Sequence, residues 1–127
     1  AIVTSLILLK ELGYKLEKPL EEQPEAYKDW DFIVSYKGED VPVEVERKRV
    51  WWGSTFPYRT VDVPYRKKHT KSKLFIMFNK ECDTAAITKT SNILSSEVIT
   101  KNTTYTSNER FFSVPLDKWK FYDMSQK

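Results

Sequence analysis

A chain of 127 residues with 40% apolar and 31% charged side chains has the make-up of one globular domain with a single modest core, which excludes a disordered or low-complexity protein. One cysteine, Cys82, and one histidine, His69, exclude an internal disulfide and a Cys/His zinc cluster, and three glycines leave no glycine-rich phosphate loop. The net charge of +3 conceals a division, because residues 1–46 carry 5 Lys/Arg against 11 Asp/Glu while residues 47–73 carry 9 against Asp62 alone. An acidic half followed at once by a basic segment suits a metal site set beside a polyanion-binding surface.

Residues 2–12 predict a helix, with Ile2, Leu6 and Leu9 on one stripe, Val3, Ile7 and Leu8 widening it, and Gly13 as the stop. Its apolar character almost all round predicts packing against a sheet. The 2–9 run is too short for a membrane span and lacks a basic leader and a cleavage site. With a lone cysteine, the expected compartment is the cytoplasm of a cell or of a virus-infected host. A start at Ala1 rather than Met is expected of a trimmed or excised piece. Tyr14-Lys15-Leu16 reads as a short strand, and 17–28, with two prolines and several glutamates, as an exposed loop that brings Tyr27 into the sheet.

The stretch 29–49, DWDFIVSYKGEDVPVEVERKR, predicts a hairpin: Phe32-Ile33-Val34 in one strand, a turn over Lys37-Gly38-Glu39-Asp40, and Val41 to Glu46 in the other. Alternation puts Val41, Val43 and Val45 on one face and Glu44, Glu46 and Lys48 on the other. A turn centred between Gly38 and Glu39 sets Asp31 across from Glu46 and Ile33 across from Glu44. Asp31, Glu44 and Glu46 then meet on the polar face, and three repelling carboxylates call for a hard divalent cation such as Mg²⁺. An amphipathic hairpin with one solvated face carries the same pattern, so spacing alone leaves both readings open.

Residues 47–73 interleave cations with aromatic rings: Arg47, Lys48 and Arg49 before Trp51 and Trp52, then Tyr58-Arg59, then Arg66, Lys67, Lys68, Lys71 and Lys73. This is the composition of a nucleic-acid groove, with cations on phosphates and rings on bases. The alternative is a solvated loop with Trp51 or Trp52 as a core anchor. Pro64 is placed to open a short helix reaching Lys71. Beyond it, 74–78 (LFIMF) predicts a buried central strand, 85–88 the next strand, and 92–94 a turn. Val98-Ile99 is a weak strand, 111–114 a further one, and 116–122 a closing segment with Trp119 and Phe121 packed.

The Asp31 and Glu44-Val45-Glu46 arrangement resembles the PD-(D/E)XK nuclease superfamily, over roughly residues 13–79. There an Asp at the start of one strand and a Glu-x-Lys on the next bind Mg²⁺ and activate water. Here Trp30-Asp31 stands for Pro-Asp, and Glu46 stands where Lys is usual, as in the minority of restriction enzymes with Glu-x-Glu. A second frame, Glu46-Arg47-Lys48, restores a literal Glu-x-Lys but puts Arg47 on the apolar face, where an unpaired charge is expensive. The resemblance implies an α/β, restriction-endonuclease-like domain over residues 1–127, with the N-terminal helix on a central mixed sheet and the hairpin near its centre. It implies an endonuclease with Mg²⁺ (Mn²⁺ as substitute) acting on DNA, or on RNA or branched DNA. Asp31, Glu44 and Glu46 would hold metal, with Glu46 as metal ligand or general base, and Lys48 or a relocated Lys67 or Lys68 would stabilise charge. Glu11 is the helix acid that sometimes joins such sites. Arg47, Arg49, Trp51, Trp52, Arg66, Lys67, Lys68, Lys71 and Lys73 would contact nucleic acid. A two-fold homodimer would match a duplex cut on both strands. A non-catalytic DNA-binding module keeping the same fold is the rival expectation.

Overall fold

The computed structural model describes residues 1–23, 30–105 and 107–125. Helix α1 (Ile2–Glu11) is followed by strands β1 (Phe32–Tyr36), β2 (Glu39–Arg47), β3 (Thr60–Pro64), β4 (Leu74–Phe78) and β5 (Thr84–Lys89). A short helix α2 (Thr90–Leu94) then leads to β6 (Glu97–Lys101), β7 (Glu109–Pro115) and β8 (Lys120–Asp123). The strands form a five-stranded sheet in the order β1-β2-β4-β5-β8 and a three-stranded sheet in the order β3-β7-β6. Among the described residues only β2 and β4 pair in parallel, so the larger sheet is mixed. The domain is thus α/β, with an N-terminal helix and a mixed sheet, plus a second sheet that the sequence did not announce.

The larger sheet has an apolar side chain pattern on both faces. Phe32, Val34, Val41, Val43 and Ile76 pack with Leu8 and Leu9 of α1. On the opposite face Phe75, Met77 and Ala86 pack with Val61 and Val63 of β3 and with Phe112 and Val114 of β7. Alternation along each strand serves both layers at once, because successive residues point to opposite sides. The β4 strand, buried at every position and third of five, is the central strand expected from LFIMF.

Several expectations are corrected. The hairpin lies at the margin of the sheet rather than near its centre, since β1 is an edge strand. Its turn is Lys37-Gly38, with φ of 50° and 81°, the two positive values of a type I′ connection. Pairing runs Phe32↔Val43, Val34↔Val41 and Tyr36↔Glu39, two residues away from the expected register. The shift is even, so no side chain changes face. Residues 14–16 form no strand of their own: Lys15 makes a single bridge, exchanging backbone hydrogen bonds with Ser35. Helix α1 buries Ser5, Leu8 and Leu9 but leaves Val3 and Ile7 exposed, so it packs on one side only. Pro64 precedes a 3₁₀ turn over Tyr65–His69 instead of a helix reaching Lys71. Phe121, expected to be packed, is exposed at 38%, whereas Trp119 is buried. Tyr27 falls outside the described residues.

The tryptophan pair divides sharply. Trp51 is 0% exposed and makes edge-to-face contacts with Phe56 and Phe121, at 5.5 and 5.8 Å between ring centroids. It is a core anchor and has no face to offer a base, which corrects its place among nucleic-acid contacts. Trp52 is 63% exposed, with the Lys80 ammonium 3.6 Å from its ring centroid. Trp51→Ala is therefore expected to cost about 3–5 kcal/mol in chemical unfolding, as truncation of a large buried aromatic does. Trp52→Ala should cost less than about 1 kcal/mol. Equal costs for the two would contradict this division.

Candidate active site

The polar face of β2 looks toward the second sheet, and that fixes the character of its carboxylates. Glu44 sits beside Phe75 in the parallel ladder and is only 13% exposed at its side chain. Lys67, carried on the 3₁₀ turn after β3, places its Nζ 2.9 Å from Glu44 Oε2. Burial holds the Glu44 carboxyl above the usual glutamate range; Lys67 pulls it back down, while Asp31 and Glu46 push it further up. Those last two effects place both neighbouring carboxylates within electrostatic reach of Glu44.

Asp31 lies just before β1, beyond the last ladder pair Phe32↔Val43, and is held against β2 by two hydrogen bonds. Its backbone N–H donates to the Val43 carbonyl, and its Oδ2 accepts a 2.7 Å bond from the Val45 N–H. The side chain thus stands in for a backbone carbonyl and is held in orientation by the strand it faces. A carboxylate retains further acceptor capacity after one such bond. Glu46 is 54% exposed and pairs with Lys48 at 3.2 Å. Lys48 also donates to the Asp62 carbonyl of β3 at 3.3 Å, so its ammonium ties the end of β2 to the second sheet.

The three expected carboxylates remain neighbours, since Asp31 and Glu46 both act electrostatically on Glu44. Among the described residues no three of His, Cys, Asp and Glu close into a ready metal cage. The two-residue shift in register sets Asp31 against the Val43–Val45 stretch through its two hydrogen bonds, with Glu46 two residues beyond Glu44 on the same face. Two carboxylates plus water are nevertheless an ordinary donor set for Mg²⁺, which keeps much of its hydration shell. Asp31 and Glu44 therefore have the donor chemistry for such an ion, while Glu46 is engaged by Lys48. The objection to the second frame also falls, because Arg47 is exposed and donates from Nε to the Lys80 carbonyl. Burial separates the frames instead, with Glu44 enclosed and Glu46 largely in solvent.

The cations of 47–73 do not act as one set. Lys68 stacks on the Tyr65 ring at 4.7 Å, and Arg110 on the same ring at 4.2 Å. Arg49, Arg66, Lys71 and Lys73 are exposed. Glu11 is exposed near the end of α1. Two features escaped sequence reasoning: β3 itself, and the part played by Asp62. The alternating TVDVP was the available signal for the strand, hidden inside a segment dominated by charge.

A raised pKa in the folded state means the folded protein holds the Glu44 proton more firmly than the unfolded chain. The resulting stabilisation is complete below the ordinary glutamate pKa and is lost as pH rises through the raised value. Glu44→Gln removes that dependence. Urea unfolding in chelator from about pH 4 to 8 should show the variant gaining on the wild type as pH rises. A gap independent of pH would contradict the enclosure of this carboxylate.

Comparison of the chain with known protein families, with curated proteins and with solved structures finds no match, so the reading of this site rests on its own geometry.

Proposed function

We propose that this chain is a metal-dependent endonuclease that hydrolyses DNA phosphodiester bonds, on a variant of the restriction-endonuclease-like fold. The observation that carries the reading is the enclosed Glu44, with Asp31 tied to the adjacent Val45 N–H and the Lys67 ammonium 2.9 Å away. That is the Asp, Glu and Lys set of the PD-(D/E)XK pattern, with the lysine supplied from the turn after β3 rather than from position 46. The mixed sheet and the helix on its far face support the fold assignment.

Asp31 and Glu44 would hold Mg²⁺, with Mn²⁺ as a substitute. Bound there, the ion would lower the pKa of a water molecule and polarise a phosphate oxygen. The chain's own groups do the rest. The Val45 N–H fixes the Asp31 carboxylate, so that one donor is set before any ligand arrives. Lys67 carries positive charge to the point where negative charge grows on the phosphate. Glu46, held by Lys48 and open to solvent, is placed to take the proton of the attacking water. The exposed Arg49, Arg66, Lys71 and Lys73, with Trp52, would engage the nucleic acid itself.

A second reading has one observation in its favour. The Glu44–Lys67 pair neutralises the enclosed carboxylate without any metal, as a purely structural ion pair would. A nucleic-acid-binding module without catalysis would bind with unchanged affinity in EDTA and cut under no metal.

Supercoiled plasmid incubated with Mg²⁺ or Mn²⁺ should be nicked, and a chelator should stop it. Asp31→Ala and Glu44→Ala should each reduce cutting to the chelator background, and Lys67→Ala should slow it by roughly 100-fold or more. Mg²⁺ should also raise the melting temperature of the wild type but not of the Asp31→Ala/Glu44→Ala double variant. Wild-type cutting by both single variants would sink the assignment. Replacing Arg66, Lys71 and Lys73 together by Ala should lower the log–log salt slope of duplex binding by about 0.9 for each phosphate no longer neutralised. An unchanged slope would make this cluster a solvated face.

A further inference from the structure

Next to the carboxylates lies a hollow of about 450 Å³, walled by Val50, Phe56, Tyr58 and Thr60. Lys48, Asp62 and Lys101 supply its charged groups. Lys48 belongs to both places, since the ammonium that pairs with Glu46 also reaches the Asp62 carbonyl. The volume lies within the range of small-molecule sites, roughly 300–1,000 Å³.

Two features of its lining restrict what would fill it. Its cations are already paired, Lys48 with Glu46 and Lys101 with Asp62 Oδ2 at 2.5 Å, so the hollow is not built to take up a phosphate, whereas the buried Asp62 Oδ1 has no partner and calls for a donor. Val50, Phe56 and Tyr58 make part of its wall apolar and aromatic, beside the charged groups and the hydroxyls of Tyr58 and Thr60. A flat, neutral heterocycle with polar edges suits such a lining. The aromatic wall is also braced: Tyr58 contacts Phe56 edge-to-face at 5.9 Å, and Phe56 contacts the fully buried Trp51 in the same manner at 5.5 Å. Tyr58 is nevertheless 58% exposed and Val50 59% exposed, leaving apolar surface uncovered at the mouth of a polar site. A ring held on a rigid support and left open on one side is a stacking platform.

We propose that this hollow receives a single unstacked nucleobase flanking the scissile phosphate. The inference rests on the nuclease reading and narrows it. The substrate class becomes nucleic acid with an unpaired nucleotide at or beside the cut, in a single strand, a bulge or a branch. A base within a continuous duplex is covered on both faces by its neighbours and would have to leave the stack to enter.

The test is binding in EDTA, where no cleavage intervenes. The probes are a fully paired DNA duplex, the same duplex carrying one bulged 2-aminopurine, and the corresponding single strand. The bulged duplex and the single strand should bind roughly tenfold more tightly than the paired duplex. The 2-aminopurine emission should fall as the base stacks. Tyr58→Ala should abolish both the preference and the quench while leaving affinity for the paired duplex unchanged, and Tyr58→Phe should retain them. Val50→Asp, a second change at an exposed position, should also remove the preference by placing charge at the mouth. Equal binding of paired and bulged probes overturns the inference, and so does a preference that survives both Tyr58→Ala and Val50→Asp. Tight binding of every probe with no preference leaves the nuclease reading standing. Failure to bind any probe, the paired duplex included, overturns the inference, and the plasmid assay with Mg²⁺ then decides the nuclease reading by itself.

Discussion

A carboxylate enclosed between two sheets has to meet a cation, and the Glu44–Lys67 pair is the contact on which this architecture turns. Val41 and Val43 commit one face of β2 to the helix side, so Glu44 has no choice but the side of the second sheet. Lys67 arrives there because β3 ends at Pro64 and the chain then turns tightly through Tyr65–His69. The pair joins the layers, yet it does not fully offset the burial of Glu44, whose carboxyl stays above its usual range. Asp31 and Glu46 add repulsion to that burden. A group left less than fully compensated by its own fold is one on which a further cation gains energy, and perturbed ionisation of this kind gathers at working sites.

The edge of the sheet next to the site is closed by small local devices. Gln23 accepts the Ile33 N–H through Oε1 at 2.7 Å and donates from Nε2 to the Ile33 carbonyl at 2.8 Å, so one side-chain amide imitates a neighbouring strand. Lys15 does the same for Ser35 with its backbone. Across the ladder, Pro42 lies opposite Ile33, where both Ile33 backbone groups already point outward to Gln23. A proline is tolerated there because no donor is asked of it. Closing an edge in this way blocks pairing with another chain and keeps β1, and hence Asp31, in one place.

The sequence made some of this legible and hid the rest. Faces of β1 and β2 followed from alternation alone, which an error in register of two residues does not disturb. The register itself depended on which pair of residues formed the turn, and the positive φ at Lys37 was not evident from a residue type that rarely adopts it. LFIMF announced β4 by continuous apolarity. TVDVP, although alternating, lay amid nine cations and was absorbed into a basic loop, so the second sheet went unseen although 98–99 and 111–114 were read as strands. Trp51 and Trp52 are adjacent and chemically identical; only tertiary packing sends one to the core and the other to solvent. The partnership of Lys67 with Glu44 spans two layers, and no local pattern encodes a contact of that kind.

The single parallel pairing, β2 with β4, sets an order on assembly. Antiparallel neighbours such as β1 with β2 and β4 with β5 are close in sequence and close through short loops. Val43 and Leu74, by contrast, meet only after the intervening chain has laid β3 into a different sheet. Contacts between distant segments carry the loop-closure entropy that slows folding. Asp31 and Glu44 belong to one local hairpin, whereas the contact of Lys67 with Glu44 spans the crossover between β2 and β4. The acids of the site thus depend on a local contact and their counter-charge on a distant one, so loosening the crossover would strip Glu44 of Lys67 while leaving the hairpin paired.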